Sequence, residues 1–153
     1  MGIFPAKILL ATDGSEDAQL ALSTAVDLAN STNSALHVAT VAPGILDPVY
    51  QIHEAGLRNE TYEEALQAVR AEAQRVLDEQ VERIEEAGGP VAQAHFTIGE
   101  QRDQAIVHLA DEIGAGLIVM GSRGLDGFRR ALMGSVSDSV VRHAQCPLLI
   151  VRR

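Results

Sequence analysis

The chain of 153 residues lies within the usual range for one domain, residues 1–153, and its 46% hydrophobic composition is ordinary for a globular core. Its formal net charge of −9 opposes any broad attraction to nucleic acid or to an anionic membrane, because both partners need a surplus of Lys and Arg. Residues 1–10 lack the order of a signal peptide, no run reaches the roughly 18 apolar residues of a membrane helix, and Cys146 stands alone. We therefore expect a cytoplasmic protein without an internal disulfide or a cysteine-based metal site.

Apolar runs and amphipathic stretches alternate along the chain, which is typical of βαβ units and a parallel sheet. Lys7–Thr12 predicts a buried strand, and the turn after it offers Asp13 or Ser15 as the cap of the first helix. Polar residues around Asn30–Asn33 end that helix. Its apolar residues recur at helical spacing: Ala18, Ala21, Leu22, Ala25, Leu28 and Ala29.

The middle of the chain predicts a strand, a loop and a long helix. The strand is Ala35–Val41. Ala42–Arg58 contains two prolines and two glycines without a sustained period, so we interpret it as a long loop and expect a mobile flap. Glu60–Ala87 carries apolar residues on one face, and the glycines and proline at 88–90 end this helix.

The last part of the chain predicts three strands and two short helices. Val91–Thr97, Gly116–Met120 and Pro147–Val151 are the strands, the second of them buried on both faces. Arg102–Ile113 and Ser135–His143 are the helices. The whole chain thus predicts one doubly wound α/β sheet.

A glycine-bearing segment follows the fourth predicted strand, at an edge where open parallel sheets bind their ligands. Gly121 and Gly124 stand three residues apart, so the backbone could turn there with a positive φ and approach a ligand without a Cβ. Gly134 to Ser137 would place free N–H groups and two hydroxyls at a helix N-terminus, which favours an anion. A bound phosphate is the ligand that this pattern predicts.

The charge of the same segment is basic. Between Gly121 and Gly134 there are three arginines and a single acidic residue, in a chain that is otherwise strongly acidic: Arg123, Arg129 and Arg130 against Asp126. An anionic small ligand would need such a basic spot. On spacing and charge alone, a solvated basic loop with glycines as turn residues is the alternative.

Asp13 is a second candidate, because it is the first ionisable residue after the first strand and would reach the central crevice. An acidic side chain there accepts hydrogen bonds from ribose hydroxyls. The alternative is an N-cap for the first helix, and the residues themselves leave both open.

Several chemistries have no motif in this chain. There is no GxxxxGK[ST] loop, no GxGxxG after the first strand and no GxSxG. The five histidines show no metal-ligand spacing, so we predict no protein metal site. His37 lies within a strand, which favours a packed or hydrogen-bonded core imidazole.

The spacing Gly121-x2-Gly124-x9-Gly134-Ser135 resembles the glycine pattern of the ATP-binding branch of the universal stress protein family. KILLATDGSEDAQLAL resembles the family opening, ALHVATV its second strand, and GLIVMGSRG with GSVSDSVVRHAQCPLLIV its closing half. The resemblance therefore extends over nearly the whole chain.

This resemblance implies an open five-stranded parallel sheet of order 3-2-1-4-5 with helices on both faces, the adenine nucleotide alpha hydrolase-like fold. It also implies ATP in the crevice, Mg²⁺ carried through the phosphates, and a homodimer joined through the last strand. By position, Ala11 and Asp13 would contact the adenosine, and the backbone of Val38 would read the adenine edge. The ribose and phosphates would be held by Gly121, Arg123, Gly124, Gly134, Ser135, Val136 and Ser137.

Three functions follow from these expectations. The leading one is a nucleotide-dependent stress-response sensor or adaptor that an unknown protein partner reads. A slow ATPase or nucleotidyl-transfer enzyme on the same fold is the second, although no residue resembles a catalytic base. A dimeric stress protein that binds no nucleotide is the third, and the intact glycines oppose it.

Overall fold

Strands and helices alternate along residues 2–43, 59–99, 101–122 and 135–153, the part of the chain that a computed structural model describes. The strands are β1 (Lys7–Ala11), β2 (Ala35–Pro43), β3 (Val91–Gly99), β4 (Leu117–Gly121) and β5 (Leu148–Val151). The helices are α1 (Glu16–Thr32), α2 (Asn59–Glu86), α3 (Arg102–Ile113) and α4 (Ser135–His143). None of these helices is long and apolar enough to cross a membrane.

The five strands form one parallel sheet of order β3-β2-β1-β4-β5, which confirms the predicted strand order. Central β1 pairs with β2 on one side and with β4 on the other: Ala11 lies opposite Ala39 and Met120. The chain leaves β1 towards β2 but leaves β4 towards β5, in the opposite direction. The strand order therefore reverses between β1 and β4, and a crevice opens at their carboxyl ends.

Two apolar layers sandwich the sheet, because alternate strand residues point to opposite faces. Ile8, Leu10 and Val119 pack with the buried faces of α1 and α2, where Leu22 and Leu77 are nearly inaccessible. The opposite face of the sheet packs against α3 and α4. Residues from the strands and from both helices form this second layer: Leu9, Ala11, Ala39, Ile106, Ala110, Ile118, Met120 and Val140. Helices thus cover both faces, as predicted.

Most predicted elements are confirmed, and the errors lie at their ends: α2, for example, was predicted at Glu60–Ala87 and spans Asn59–Glu86. The bounds of α3 and α4 match the prediction, whereas β2 continues two residues further, to Pro43. The predicted loop at 42–58 was therefore wrong at Ala42 and Pro43, because pairing with β3 up to Gly99 keeps both in the ladder. Residues 44–58, and with them the expected flap, lie outside the described part of the chain.

Candidate functional site

The carboxyl end of β1 leads into α1 through a turn that the side chains of Asp13 and Ser15 hold. Asp13 Oδ1 accepts a hydrogen bond from the Ser15 amide at 2.9 Å, and Ser15 Oγ accepts one from the Ala18 amide at 3.2 Å. Gly14 between them has a φ of +79°. Ser15 is therefore the N-cap, and Asp13 lies two residues before it, just after the carboxyl end of β1.

A buried amide lies under this turn. Gln80 of α2 is 1% exposed, and its Oε1 accepts hydrogen bonds from Thr12 Oγ1 and from Gln19 Nε2, both at 3.2 Å. Gln80 was not predicted from the sequence, although a glutamine between Leu77 and Ile84 on the apolar face of a helix was a signal. Since buried amides need partners, this cluster ties α2 to the carboxyl end of β1.

Gly121 ends β4, and its role differs from the one predicted. It is not among the residues with a positive φ, so the expected turn at this glycine was wrong. A Cβ at this position would lie 2.9 Å from the carbonyl carbon of Asp17 and 3.0 Å from its oxygen. A glycine is needed here because the first turn of α1 lies directly against the strand.

Ser122 and Ser137 join the end of β4 to the first turn of α4. Ser137 Oγ donates to the Ser122 carbonyl at 2.8 Å, and Ser122 Oγ donates to Asp17 Oδ2 at 2.9 Å. Both serines are buried: Ser122 is 1% exposed and Ser137 is 3% exposed. The structure thus brings Gly121 and Ser137 close to one another through Ser122 and Asp17, neither of which was predicted from the sequence.

The first turn of α4 begins at Ser135 and continues through Val136 and Ser137. This turn is the positive end of the helix dipole, which favours an anion. Asp138 in the same turn is already negative and pairs with Arg142 at 3.2 Å, so it competes for this favourable field. Arg123, Gly124 and Gly134 lie outside the described residues, and their predicted contacts stay predictions.

Val38 lies inside the sheet, apart from this edge. Its side chain is fully buried, and its strand neighbours are Leu10 on β1 and Ala94 on β3. Ala11, the last residue of β1, is 7% exposed and lies opposite Ala39 instead. Ala11 and Asp13 therefore stand at the carboxyl edge, whereas the adenine contact of Val38 stays a prediction.

Two histidines that the sequence analysis treated as scattered form a pair. His37 Nδ1 and His95 Nε2 are 3.0 Å apart, and the two rings stack with their centroids at 5.3 Å. Burial lowers the pKa of both imidazoles, and the charges of His95 and Lys7 lower the pKa of His37 further. The expected hydrogen-bonded imidazole at His37 is confirmed, and among the described residues no three His, Cys, Asp or Glu side chains cluster as a metal site.

Comparison with sequence families places these features in a known group. A family model described as the universal stress protein family matches residues 6–152. A Staphylococcus haemolyticus protein that is named for this family is 33% identical over 145 residues, which cover 95% of this chain and 83% of that protein. A Staphylococcus aureus protein of the same name is 31% identical over 145 residues, covering 95% and 82% of the two chains.

Solved structures agree with the fold. A universal stress protein from Lactobacillus plantarum superposes with a TM-score of 0.80 at 24% identity, covering 97% of this chain and 99% of that one. A family member from Burkholderia pseudomallei gives a TM-score of 0.70 at 30% identity, with 99% and 98% covered. A universal stress protein in complex with cAMP gives 0.65 at 27% identity, with 95% of each chain covered.

Proposed function

Because this chain belongs to the universal stress protein family, we propose that it binds an adenine nucleotide at the carboxyl ends of β1 and β4. The observation that carries the proposal is the hydrogen bond from Ser137 Oγ to the Ser122 carbonyl. It holds the amide-bearing first turn of α4 at the point where the strand order reverses, which is where open α/β sheets bind ligands. The related protein in complex with cAMP supports an adenine nucleotide.

The proposed ligand is ATP with Mg²⁺. Ala11 and Asp13 would contact the adenosine together with the Val38 backbone. The first turn of α4, which includes Val136 and Ser137, suits phosphate oxygens, since it lies at the positive end of the helix dipole. Mg²⁺ would bind mainly to the phosphates, because it retains several waters and needs few protein ligands. The arginine and glycines of the Gly121–Ser137 segment would complete the phosphate site.

We further propose that the protein acts in the cytoplasm as a homodimeric, nucleotide-dependent stress sensor or adaptor, not as an enzyme. In this scheme nucleotide binding stabilises one state of the dimer, and a partner protein recognises that state. The last strand, β5, would form the dimer contact, because it is an edge strand that pairs only with β4 in the described sheet.

Thermal unfolding with and without nucleotide tests the binding. We expect ATP with Mg²⁺ at about 100 times its Kd to stabilise the fold by about 2.7 kcal/mol, which raises Tm by about 5–11 °C. AMP and cyclic AMP are compared in parallel, and mass spectrometry of ligand released from fresh protein identifies the preferred nucleotide. If no adenine nucleotide shifts Tm, the protein is a stress protein that acts without one.

A substitution in the glycine pattern tests the location of the site. Gly124→Val adds a branched side chain where the family pattern requires none, so we expect it to abolish the ATP-induced shift while the protein stays folded. Ala92→Val is the matched control, since it adds the same side chain at an exposed position of β3, on the far edge of the sheet. Normal ATP binding by Gly124→Val would place the site elsewhere.

Turnover of labelled ATP by the pure protein tests the enzyme alternative. We expect a rate indistinguishable from buffer, because no residue of the described site stands out as a general base. An ATP-hydrolysing activity that co-purifies with the protein and is absent from Gly124→Val would instead establish a slow ATPase.

A further inference from the structure

Ser122 is the residue at which three other elements meet the end of β4. Its amide donates to the carbonyl of Val151 at the end of β5 at 2.9 Å, and its carbonyl accepts the hydroxyl of Ser137 from α4. Its own hydroxyl donates to Asp17 in the first turn of α1. Because the side chain is 1% exposed and its hydroxyl is bonded, Ser122 is held in one orientation relative to all three elements.

Asp17 is the charged member of this arrangement. Its side chain is only 11% exposed, although carboxylates are rarely buried without a partner. Oδ2 accepts the Ser122 hydroxyl at 2.9 Å, and Oδ1 lies 3.6 Å from Nε of Arg153, which also pairs with Glu16. The Arg153 side chain is 68% exposed, so solvent screens its attraction, and the buried charge-assisted bond to Ser122 dominates.

A buried carboxylate contributes little to the stability of a fold. An apolar pair of similar volume would fill the same space without the desolvation penalty of a charge. The carboxylate instead orients Ser122, because a hydrogen bond has a preferred distance and angle whereas an apolar contact has none. The position so fixed determines where the end of β4 lies relative to the first amides of α4.

We propose that Asp17 is a positioning residue for the phosphate groups of the nucleotide. Through Ser122 it aligns the end of β4 with the first turn of α4, whose amides would hold the phosphates. The inference rests on the proposed nucleotide site and assigns no direct ligand contact to Asp17. It predicts a selective effect: loss of the Asp17–Ser122 bond weakens recognition of phosphates but not of adenosine.

Binding of ATP with Mg²⁺ is measured by calorimetry, and binding of adenosine by ligand-observed NMR, which detects weak complexes. We expect Ser122→Ala and Asp17→Ala each to raise the Kd for ATP about tenfold, the size of one lost charge-assisted hydrogen bond. The Kd for adenosine should change by less than about twofold, and the double variant should bind ATP no more weakly than either single one, because both lose the same bond.

Three further variants separate positioning from general damage. Asp17→Asn keeps an oxygen that accepts the Ser122 hydroxyl, so we expect ATP binding within about threefold of wild type. Arg153→Gln removes only the exposed ion pairs with Asp17 and Glu16 and should change ATP binding by less than about twofold. Ser23→Ala, at an exposed position further along α1, is the matched control and should leave both ligands unaffected.

The possible results are distinct. If wild type binds no adenine nucleotide, the proposed function fails and this inference fails with it. If wild type binds ATP but Ser122→Ala binds it equally well, the inference alone is overturned. If the Kd values for ATP and adenosine rise equally, the Asp17–Ser122 bond supports the fold in general and not phosphate binding. This result also overturns the inference. Should Asp17→Ala fail to fold, Ser122→Ala and Asp17→Asn decide between these results.

Discussion

Gly121 lies where the first turn of α1 packs directly against the end of β4. The hydrogen that replaces a side chain there faces the backbone of Asp17, so the glycine serves helix-to-strand packing. The glycine pattern suggests phosphate contact, but at least one of its residues, Gly121, is required for a different reason, the packing of α1 against β4. The two reasons are compatible, because the same close approach brings Asp17 within reach of Ser122.

Gly121→Ala tests the packing role. The added Cβ would lie about 3 Å from three backbone and side-chain atoms of Asp17, and we expect the variant to lose about 1–3 kcal/mol of unfolding free energy in urea. Gly2→Ala is the control, since its Cβ meets nothing closer than 3.9 Å, and its free energy should stay within about 0.5 kcal/mol of wild type. If the midpoint of urea unfolding is the same for Gly121→Ala and wild type, α1 can move away from β4 at little cost in free energy.

At the scale of elements, His37 and His95 join neighbouring strands β2 and β3. Their hydrogen bond needs one nitrogen as donor and the other as acceptor, so a neutral or singly protonated pair keeps it. A second proton places two N–H groups against each other. Burial opposes both charges, while Glu112 on α3 acts in the opposite direction on the pKa of His95.

The stability of the fold should therefore depend on pH through this pair. Both pKa values are lowered in the folded state, so the unfolded chain binds protons first and the free energy of unfolding falls as the pH drops below about 6.5. The loss should continue through the lowered folded-state pKa values and then level off. Urea unfolding at pH 7.5, 6.5, 5.5 and 4.5, roughly spanning the ordinary pKa of histidine, measures it.

His95→Gln should flatten this pH dependence, because one of the two titrating groups is gone. His108→Gln removes an exposed imidazole from α3 and serves as the control, which should retain the wild-type slope. If the free energy of unfolding depends on pH equally in wild type and both variants, the His37–His95 pair does not contribute to the pH dependence.

At the scale of the whole molecule, β5 is the edge strand nearest the proposed site. The carbonyls of Pro147 and Val151 accept hydrogen bonds from Ile118 of β4 and from Ser122, the residue after β4. Since alternate residues of a strand direct their backbone groups to opposite sides, Leu148, Ile150 and Arg152 direct theirs to the open edge. A second copy of the chain could pair there about a two-fold axis.

Arg152→Pro tests this dimer. Proline removes an outward N–H while the inward bond from Ser122 to Val151 remains, so we expect the dimer dissociation constant to rise at least about tenfold in analytical ultracentrifugation. Arg152→Ala removes the same exposed side chain but keeps the N–H, and should dimerise like wild type. Equal dimerisation of the two variants would move the interface away from this edge.

The local sequence pattern was sufficient to predict most helices and strands and to indicate the family. The bounds of α3 and α4 follow from apolar spacing within about three turns of chain, and the strands from short apolar runs between turn residues. Strand order and the nucleotide site were implied by the family resemblance, and the fold confirms the order. These features were accessible because each depends on residues that are near one another in sequence or on a spaced motif.

Tertiary structure alone decided which side chains meet. Ser122 bonds to Asp17 across 105 residues, and His37 pairs with His95 across 58. Neither pair has a spacing signal, because each depends on which elements become neighbours and on their register to within one residue. The sequence by itself determined a doubly wound sheet with a glycine-bearing edge, whereas the reason for Gly121 and the partner of Asp17 came only from the packing of α1 against β4.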